Sequence, residues 1–206
     1  RWYEISGKKL PSVTTVLKGT ESEEKRKSLE EWRNKVGEVE AERIISTSSR
    51  RGTQMHQHLE EFLIGQVKIN FEGFDNEPYQ MSKKIIENSL STKLNELWGA
   101  EVNLHFPNLY AGTADACGVY NGVESILDFK QSNKLKQRNW LDDYFLQVAA
   151  YSLAHNEVYK TKITQGVILV CTPALQFQEF IIKDNELKKF QMVFLKKVEE
   201  YKGMLN

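Results

Sequence analysis

Two aspartates and a lysine, Asp115, Asp128 and Lys130, have the types and spacing to hold a divalent cation and activate water beside it. Between the acids lies Asn121-Gly122, a strong hairpin signal, because a type I′ turn needs positive φ at both central residues. With that pair as the turn, Tyr120 faces Val123. Counting back, Cys117 faces Ile126, Ala116 faces Leu127 and Asp115 faces Asp128. Directly opposed residues have Cβ atoms about 4.5–5.5 Å apart, where like charges destabilise the pair. A divalent cation neutralises two such carboxylates, and hard oxygen ligands suit Mg²⁺ or Mn²⁺. Strand alternation puts Lys130 on the same face as Asp128. A bare Asp-x-Lys is common on surface strands. The register, and the apolar Ile126, Leu127 and Phe129 around Asp128, set this one apart.

The elements that must position these groups follow from periodicity and turn signals. Helical patterns cover 21–46, 52–64 and 77–98. Three strand-like runs follow at 100–106, 110–120 and 123–129, then a helix over 140–155. Strands at 166–171 and 177–182 and a helix over 185–201 complete the chain. The expected fold is α/β, with an α/β/α core around a mixed central sheet. One domain over 1–206 is expected, mainly helical over 1–98 and carrying the site over 99–206.

Composition limits the partners. The chain of 206 residues has 28 Lys plus Arg against 28 Asp plus Glu, a net charge of zero. Proteins that coat duplex DNA are basic. Any nucleic-acid contact here therefore rests on local positive charge and modest affinity, which suits an enzyme that releases its product. Cys117 and Cys171 alone cannot build a four-cysteine iron–sulfur cluster, and no disulfide framework is expected. No apolar run of about 18 residues and no signal-peptide pattern stands out. The expected location is intracellular: a bacterial cytoplasm, a virus-infected host cell, or a mitochondrial matrix after removal of a transit segment.

The motifs resemble a known superfamily. Gly112-Thr113-Ala114-Asp115, Asp128-Phe129-Lys130 and Gln147-Val148-Ala149-Ala150-Tyr151 are similar to the nuclease motifs of the RecB-like branch of the PD-(D/E)XK superfamily. Arg51-Gly52-Thr53-Gln54-Met55-His56, with Glu60 following, resembles that branch's first motif. Pro11-Ser12-Val13-Thr14-Thr15-Val16-Leu17, then a helix with Trp32, resembles the group that includes the mitochondrial genome maintenance exonuclease and its bacterial and viral relatives. Here the acidic motif reads Thr-Ala-Asp where the superfamily name has Pro-Asp.

That resemblance implies a restriction-endonuclease-like core under an N-terminal helical arch, and a Mg²⁺-dependent DNA exonuclease for which Mn²⁺ substitutes. It implies that Asp115, Asp128, His56 and the carbonyl of Phe129 bind metal, and that Lys130 orients or deprotonates the attacking water. Gln147 and Tyr151 would position the DNA strand. Single-stranded DNA with free ends, in replication, repair or recombination, is the implied substrate. The alternatives are a structure-selective or restriction-type endonuclease, or a non-catalytic nucleic-acid-binding accessory module. The last predicts loss of a catalytic group, and Asp115, Asp128 and Lys130 are all present.

The residues themselves leave several roles open. His56 and Glu60 share a helix face beside Met55, Leu59, Phe62 and Leu63, so His56 is a ligand or a core-edge histidine. Gln147 and Tyr151, also four apart, are site residues or polar tips on a packed helix. Ser132 bonds a phosphate or ends a strand. Arg51 and Lys134, with Arg50 and Lys136, neutralise phosphates or are solvated. Trp32 stacks on a base or belongs to the core.

Overall fold

The computed structural model describes residues 1–65 and 76–205. The chain opens with β1 (Trp2–Ile5) and β2 (Lys8–Pro11), paired antiparallel across Ser6-Gly7. Sequence reading missed this hairpin, although Ser6 and Gly7 carry the two positive φ values (51° and 75°) of its tight turn. Helix α1 (Val13–Gly19) follows, capped by Ser12, whose Oγ accepts the Thr15 N–H at 2.9 Å.

The next two helices are α2 (Glu23–Val36) and α3 (Glu38–Leu63). The expected break near 46–52 is absent, and the chain turns instead at Gly37 (φ 86°). The tract Ser46-Thr47-Ser48-Ser49 is a weak helix former, but it is held in place because Ser48 and Asn133 hydrogen-bond at 3.2 Å. Further along, Met55 and Leu59 are fully buried. Burial of such side chains stabilises by roughly 1.5–3 kcal/mol each, which fixes the position of His56 between them.

Helix α4 (Glu77–Ile85) continues through a π-turn at Ile86–Leu90 into the short α5 (Ser91–Lys93). The helix expected to reach Trp98 therefore stops earlier. Leu94 to Trp98 open a long strand, β3 (Leu94–Phe106), where pairing of Leu94 with Tyr120 and Leu97 with Gly118 overrides local helical patterning. Strands β4 (Tyr110–Tyr120) and β5 (Val123–Gln131) follow. Between β5 and β6 (Gln165–Cys171) lies α6 (Asp142–Tyr159), and β7 (Phe177–Lys183) and α7 (Asp184–Gly203) end the fold.

The sheet order is β3-β4-β5-β6-β7, antiparallel throughout except for the parallel β5–β6 pair. The expected mixed sheet between helical layers is what the chain adopts. Strand alternation divides the core. Cys117, Ile126 and Ile168 face α1, α6 and α7, whereas Ala116, Leu127 and Val167 face α3 and α4. Strand β6 is buried along its whole length, as a central strand covered on both faces must be. No helix among the described residues is long and apolar enough to cross a membrane.

The region expected to form an arch holds α2 and the first half of α3. Helix α2 has no fully buried residue. Its first turn reaches α6 through a Lys25–Asp143 ion pair, while Ser48 and Arg51 of α3 bond Asn133 just past β5. This helical pair is thus tied down on both sides of the strand that carries Asp128 and Lys130.

Candidate active site

The Asn121-Gly122 turn forms with φ values of 50° and 76°. The register behind it is the expected one, from Tyr120↔Val123 to Ala116↔Leu127. Asp115 and Asp128 lie one step past the last paired residues, where the ladder opens. There the Asp115 carboxylate replaces a backbone acceptor, and its Oδ2 takes the Phe129 N–H at 2.6 Å.

Asp128 is only 2% exposed. The Lys130 ammonium lies 2.8 Å from its Oδ1 and 2.7 Å from its Oδ2, but only the Oδ1 contact has hydrogen-bond geometry. Oδ2 is left buried without a hydrogen-bond partner. An orphaned carboxylate oxygen in a dry site is costly. Burial, helped by Asp115 and opposed by Lys130, raises the Asp128 carboxyl to about 6. Burial also disfavours the Lys130 ammonium, yet Asp128 and Asp115 outweigh it and raise the lysine pKa. Lys130 is therefore held as a cation by the same carboxylates that would bind metal.

Two helices complete the site. From α6, Gln147 Oε1 accepts from Lys130 Nζ at 3.1 Å, and the Tyr144 ring lies 5.1 Å under the same ammonium. Tyr151, one turn beyond Gln147, lines the same cavity and packs against Gly112, where a Cβ would come within 2.7 Å of its ring. This contact is why the acidic motif begins with glycine. From α3, His56 Nε2 meets the Phe129 carbonyl at 2.7 Å and Nδ1 lies 3.6 Å from Asp115 Oδ1. The core-edge reading of His56 thus gives way to a site position.

Sequence reading missed Glu101. In the β3–β4 register Ala100 pairs with Ala116 and Val102 with Ala114, so Glu101 stands opposite Asp115. Glu101, Asp115 and Asp128 form a row of acids across three adjacent strands. Counting back from the Phe106↔Tyr110 pair across Pro107-Asn108-Leu109 would have found it. Ligand atoms of His56, Glu101 and Asp115 lie within 4.8 Å of one another. The Glu101 carboxyl is raised in pKa by partial burial and by Asp115 and Glu60.

These groups line a cavity of about 260 Å³ that includes His56, Glu101, Asp115, Asp128, Lys130 and Gln147. A groove of about 720 Å³ runs from it along α3, past Ser49, Thr53 and Gln57. The gathered atoms are those of His56, Glu101 and Asp115, with the buried Asp128 in the same cavity but outside that group, and an imidazole with carboxylates is a donor set that fits Mg²⁺ or Mn²⁺.

Several expected nucleic-acid contacts fall elsewhere. The Arg51 guanidinium bonds Glu77, Gln131 and Asn133, so it ties α3 to α4 and to the end of β5 rather than facing the groove. The Ser132 hydroxyl donates to the Lys134 carbonyl at 2.6 Å, which shapes the turn after β5 and occupies the hydrogen a phosphate would need. Lys134 is exposed beside it. Trp32 is half-buried on α2 and lies outside both core clusters.

No family model matches the chain, and no curated protein is similar to it in sequence. Among solved structures, the chain is similar to an alkaline exonuclease from Laribacter hongkongensis, with 12% identity over 95% of this chain and 91% of that one and a TM-score of 0.43. It is also similar to a protein of Eubacterium rectale taken to be an exonuclease (15% identity, 74% and 68% coverage, TM-score 0.47). A phage-related exonuclease from Haemophilus somnus 129PT is a third (14% identity, 73% and 81% coverage, TM-score 0.38). Likenesses this distant do not assign chemistry, and the functional reading below rests on the side chains.

Proposed function

We propose that the chain is a Mg²⁺-dependent deoxyribonuclease that hydrolyses single-stranded DNA from free ends. The observation that carries this reading is the buried Asp128, in line with Asp115, whose Oδ2 has no hydrogen-bond partner and only the Lys130 ammonium beside it. Such a set is unfavourable by itself and becomes favourable with a divalent cation between the carboxylates. Asp115, Asp128, His56 and the Phe129 carbonyl would hold the cation, which supplies a lowered water pKa and charge stabilisation at the phosphate.

The chain's own groups account for the rest. Lys130 Nζ, held by Gln147 and Tyr144, would orient the attacking water and offset charge on the phosphate. A cation held by Asp115 and Asp128 would offset the charges that keep Lys130 protonated, so that more of the lysine would stand as free amine, the form that can take a proton from water. Tyr151, over Gly112, sets the floor of the cavity. Preference for single strands is supported by the net charge of zero, which leaves little general attraction for a duplex.

The test compares linear single strands, circular single strands and blunt duplex under identical Mg²⁺ and salt. Digestion of the linear strand alone is expected. Rapid cutting of the circle would refute end-dependence and favour the endonuclease reading. Full cleavage in excess EDTA would sink the metal mechanism.

A further inference from the structure

We propose that Trp98, His155 and Tyr159 form a pocket that binds one neutral planar ring carrying an N–H donor, the chemistry of a nucleobase. This cavity of about 270 Å³ is separate from the one around Asp128 and is lined by Trp98, Val102, Cys117, His155, Tyr159 and Thr161. No charged side chain among the described residues lines it, so it offers nothing to a phosphate. Being smaller than the roughly 300–1,000 Å³ typical of pockets for drug-sized ligands, it has room for a single ring system. The Trp98 ring stacks on His155 at 5.7 Å with 25° between the planes, and the Tyr159 ring lies 4.7 Å from the same imidazole. Trp98 is half-buried and Tyr159 exposed, so aromatic surface reaches solvent at the mouth.

A chain of hydrogen bonds fixes what the imidazole offers. Ile163 donates its N–H to Asn156 Oδ1 at 2.8 Å and accepts from Asn156 Nδ2 at 3.2 Å, which sets that amide. Asn156 Oδ1 also accepts the Thr161 hydroxyl at 2.9 Å. With its one hydrogen spent, Thr161 Oγ1 can only accept from His155 Nδ1, 2.8 Å away. The proton therefore sits on Nδ1. Nε2 is left as a bare acceptor with no partner among the described residues, on a side chain only 4% exposed. Burial lowers the His155 pKa, which keeps the ring neutral near pH 7. Trp98 comes to the pocket from a β-bulge: the register slips between Leu97↔Gly118 and Gly99↔Cys117, and Trp98 is the extra residue. Along α6, Gln147, Tyr151, His155 and Tyr159 recur every four residues, so the pocket shares a helix face with the active-site cavity, about 12 Å from Gln147 to His155. Among rings with an N–H donor, a nucleobase is the one the proposed nuclease meets, and that choice alone rests on the reading above.

The test is binding of thymidine and of N3-methylthymidine to the full chain in EDTA, followed by nitrogen NMR of the histidine rings, for wild type, Tyr159→Ala and His155→Phe. Thymidine should bind wild type and shift the Nε2 signal of His155. N3-methylthymidine, which lacks the N–H donor, should bind about 2–10-fold more weakly, the worth of one hydrogen bond. In His155→Phe the two nucleosides should bind alike, and should that variant not fold, the wild-type comparison still decides. Tyr159→Ala, at an exposed position, should weaken thymidine by at least about fivefold, the lower end of base–aromatic stacking. Equal weakening of a short oligothymidylate would assign the pocket to a base of the bound strand, and weakening of thymidine alone to a free nucleoside. No shift at His155, equal affinity of wild type for both nucleosides, or unchanged thymidine binding in Tyr159→Ala would each overturn the proposal. A chain that binds thymidine in this way and cuts no DNA would remove the nuclease reading and leave the pocket standing.

Discussion

The Phe129 amide donates to the Asp115 carboxylate at 2.6 Å, so the residue that would hold metal also closes the gap where the β4–β5 ladder opens. Function and fold therefore respond differently to different substitutions at Asp115. Asp115→Asn keeps an acceptor for the Phe129 N–H and loses a charge repelled by Asp128 and Glu101. Its melting temperature in EDTA should equal or exceed that of wild type while cleavage is lost. Asp115→Ala loses the acceptor as well and should be less stable than Asp115→Asn by about 1–2 kcal/mol. Equal stability of the two variants in thermal melts would show that the hydrogen bond carries no weight.

Lys130→Ala should reduce cleavage by about 10²–10⁴-fold, the usual contribution of a general acid–base group. Lys130 is also the hydrogen-bond donor to the buried Asp128 carboxylate. The same variant should therefore destabilise the metal-free protein by about 3–5 kcal/mol, less whatever Asp128 recovers by taking up a proton. Mg²⁺ should restore part of that loss. Melting curves with and without Mg²⁺ check this, and an unchanged curve in EDTA would mean the ion pair is not formed in solution.

His56 and His58 make a matched pair for metal dependence. His56 meets the Phe129 carbonyl and Asp115, while His58 stacks edge-on to Tyr79 at 5.3 Å. His56→Ala should raise the Mg²⁺ concentration for half-maximal cleavage by about 10–100-fold, and His58→Ala should leave it unchanged. A sharp loss of stability in His56→Ala with unaltered Mg²⁺ dependence would return His56 to the core edge.

Away from the site, His155 gives the fold a pH dependence of known sign. It lies between Trp98 and Tyr159, with Nδ1 2.8 Å from Thr161 Oγ1. Burial lowers its pKa, against a smaller upward pull from Glu124. The unfolded chain therefore takes up the proton first, and stability falls as pH drops below about 6.5, by at most about 1.4 kcal/mol per pH unit. His155→Gln should flatten that part of the stability–pH curve relative to wild type. A curve of unchanged slope below pH ~6.5 would show that His155 is protonated equally in both states.

The site was legible where a local rule fixed geometry. Asn121-Gly122 allows one turn type, and from it the approach of Asp115 to Asp128 follows by counting. Helical spacing likewise grouped Gln147 with Tyr151. Glu101 was not found because its position depends on a register set by the Phe106↔Tyr110 hairpin, whose connection lacks the dipeptide signature of a two-residue turn. The partners of Arg51 and Ser132 within the protein were hidden for another reason. Proximity to Lys130 in sequence does not reveal that Glu77 and Asn133, brought in by the fold, already engage Arg51, or that the Lys134 carbonyl engages Ser132. The helix end near Lys93 was misplaced because Leu94 to Trp98 are patterned for a helix and become strand only through their β4 partners.

The topology also sets the order in which the acid row and its surroundings come together. Strands β3, β4 and β5 are consecutive, so the row of Glu101, Asp115 and Asp128 can assemble from local contacts early in folding. The parallel neighbour that seals Asp128 from water, through its pairing with Ile168, comes only after α6. The burial that raises the Asp128 carboxyl, and the contacts of Gln147 and Tyr144 with Lys130, belong to the complete fold. A nascent chain on the ribosome thus carries all three acids for the time it takes to make some forty further residues, at roughly 5–20 residues per second, without the buried environment that makes them a site.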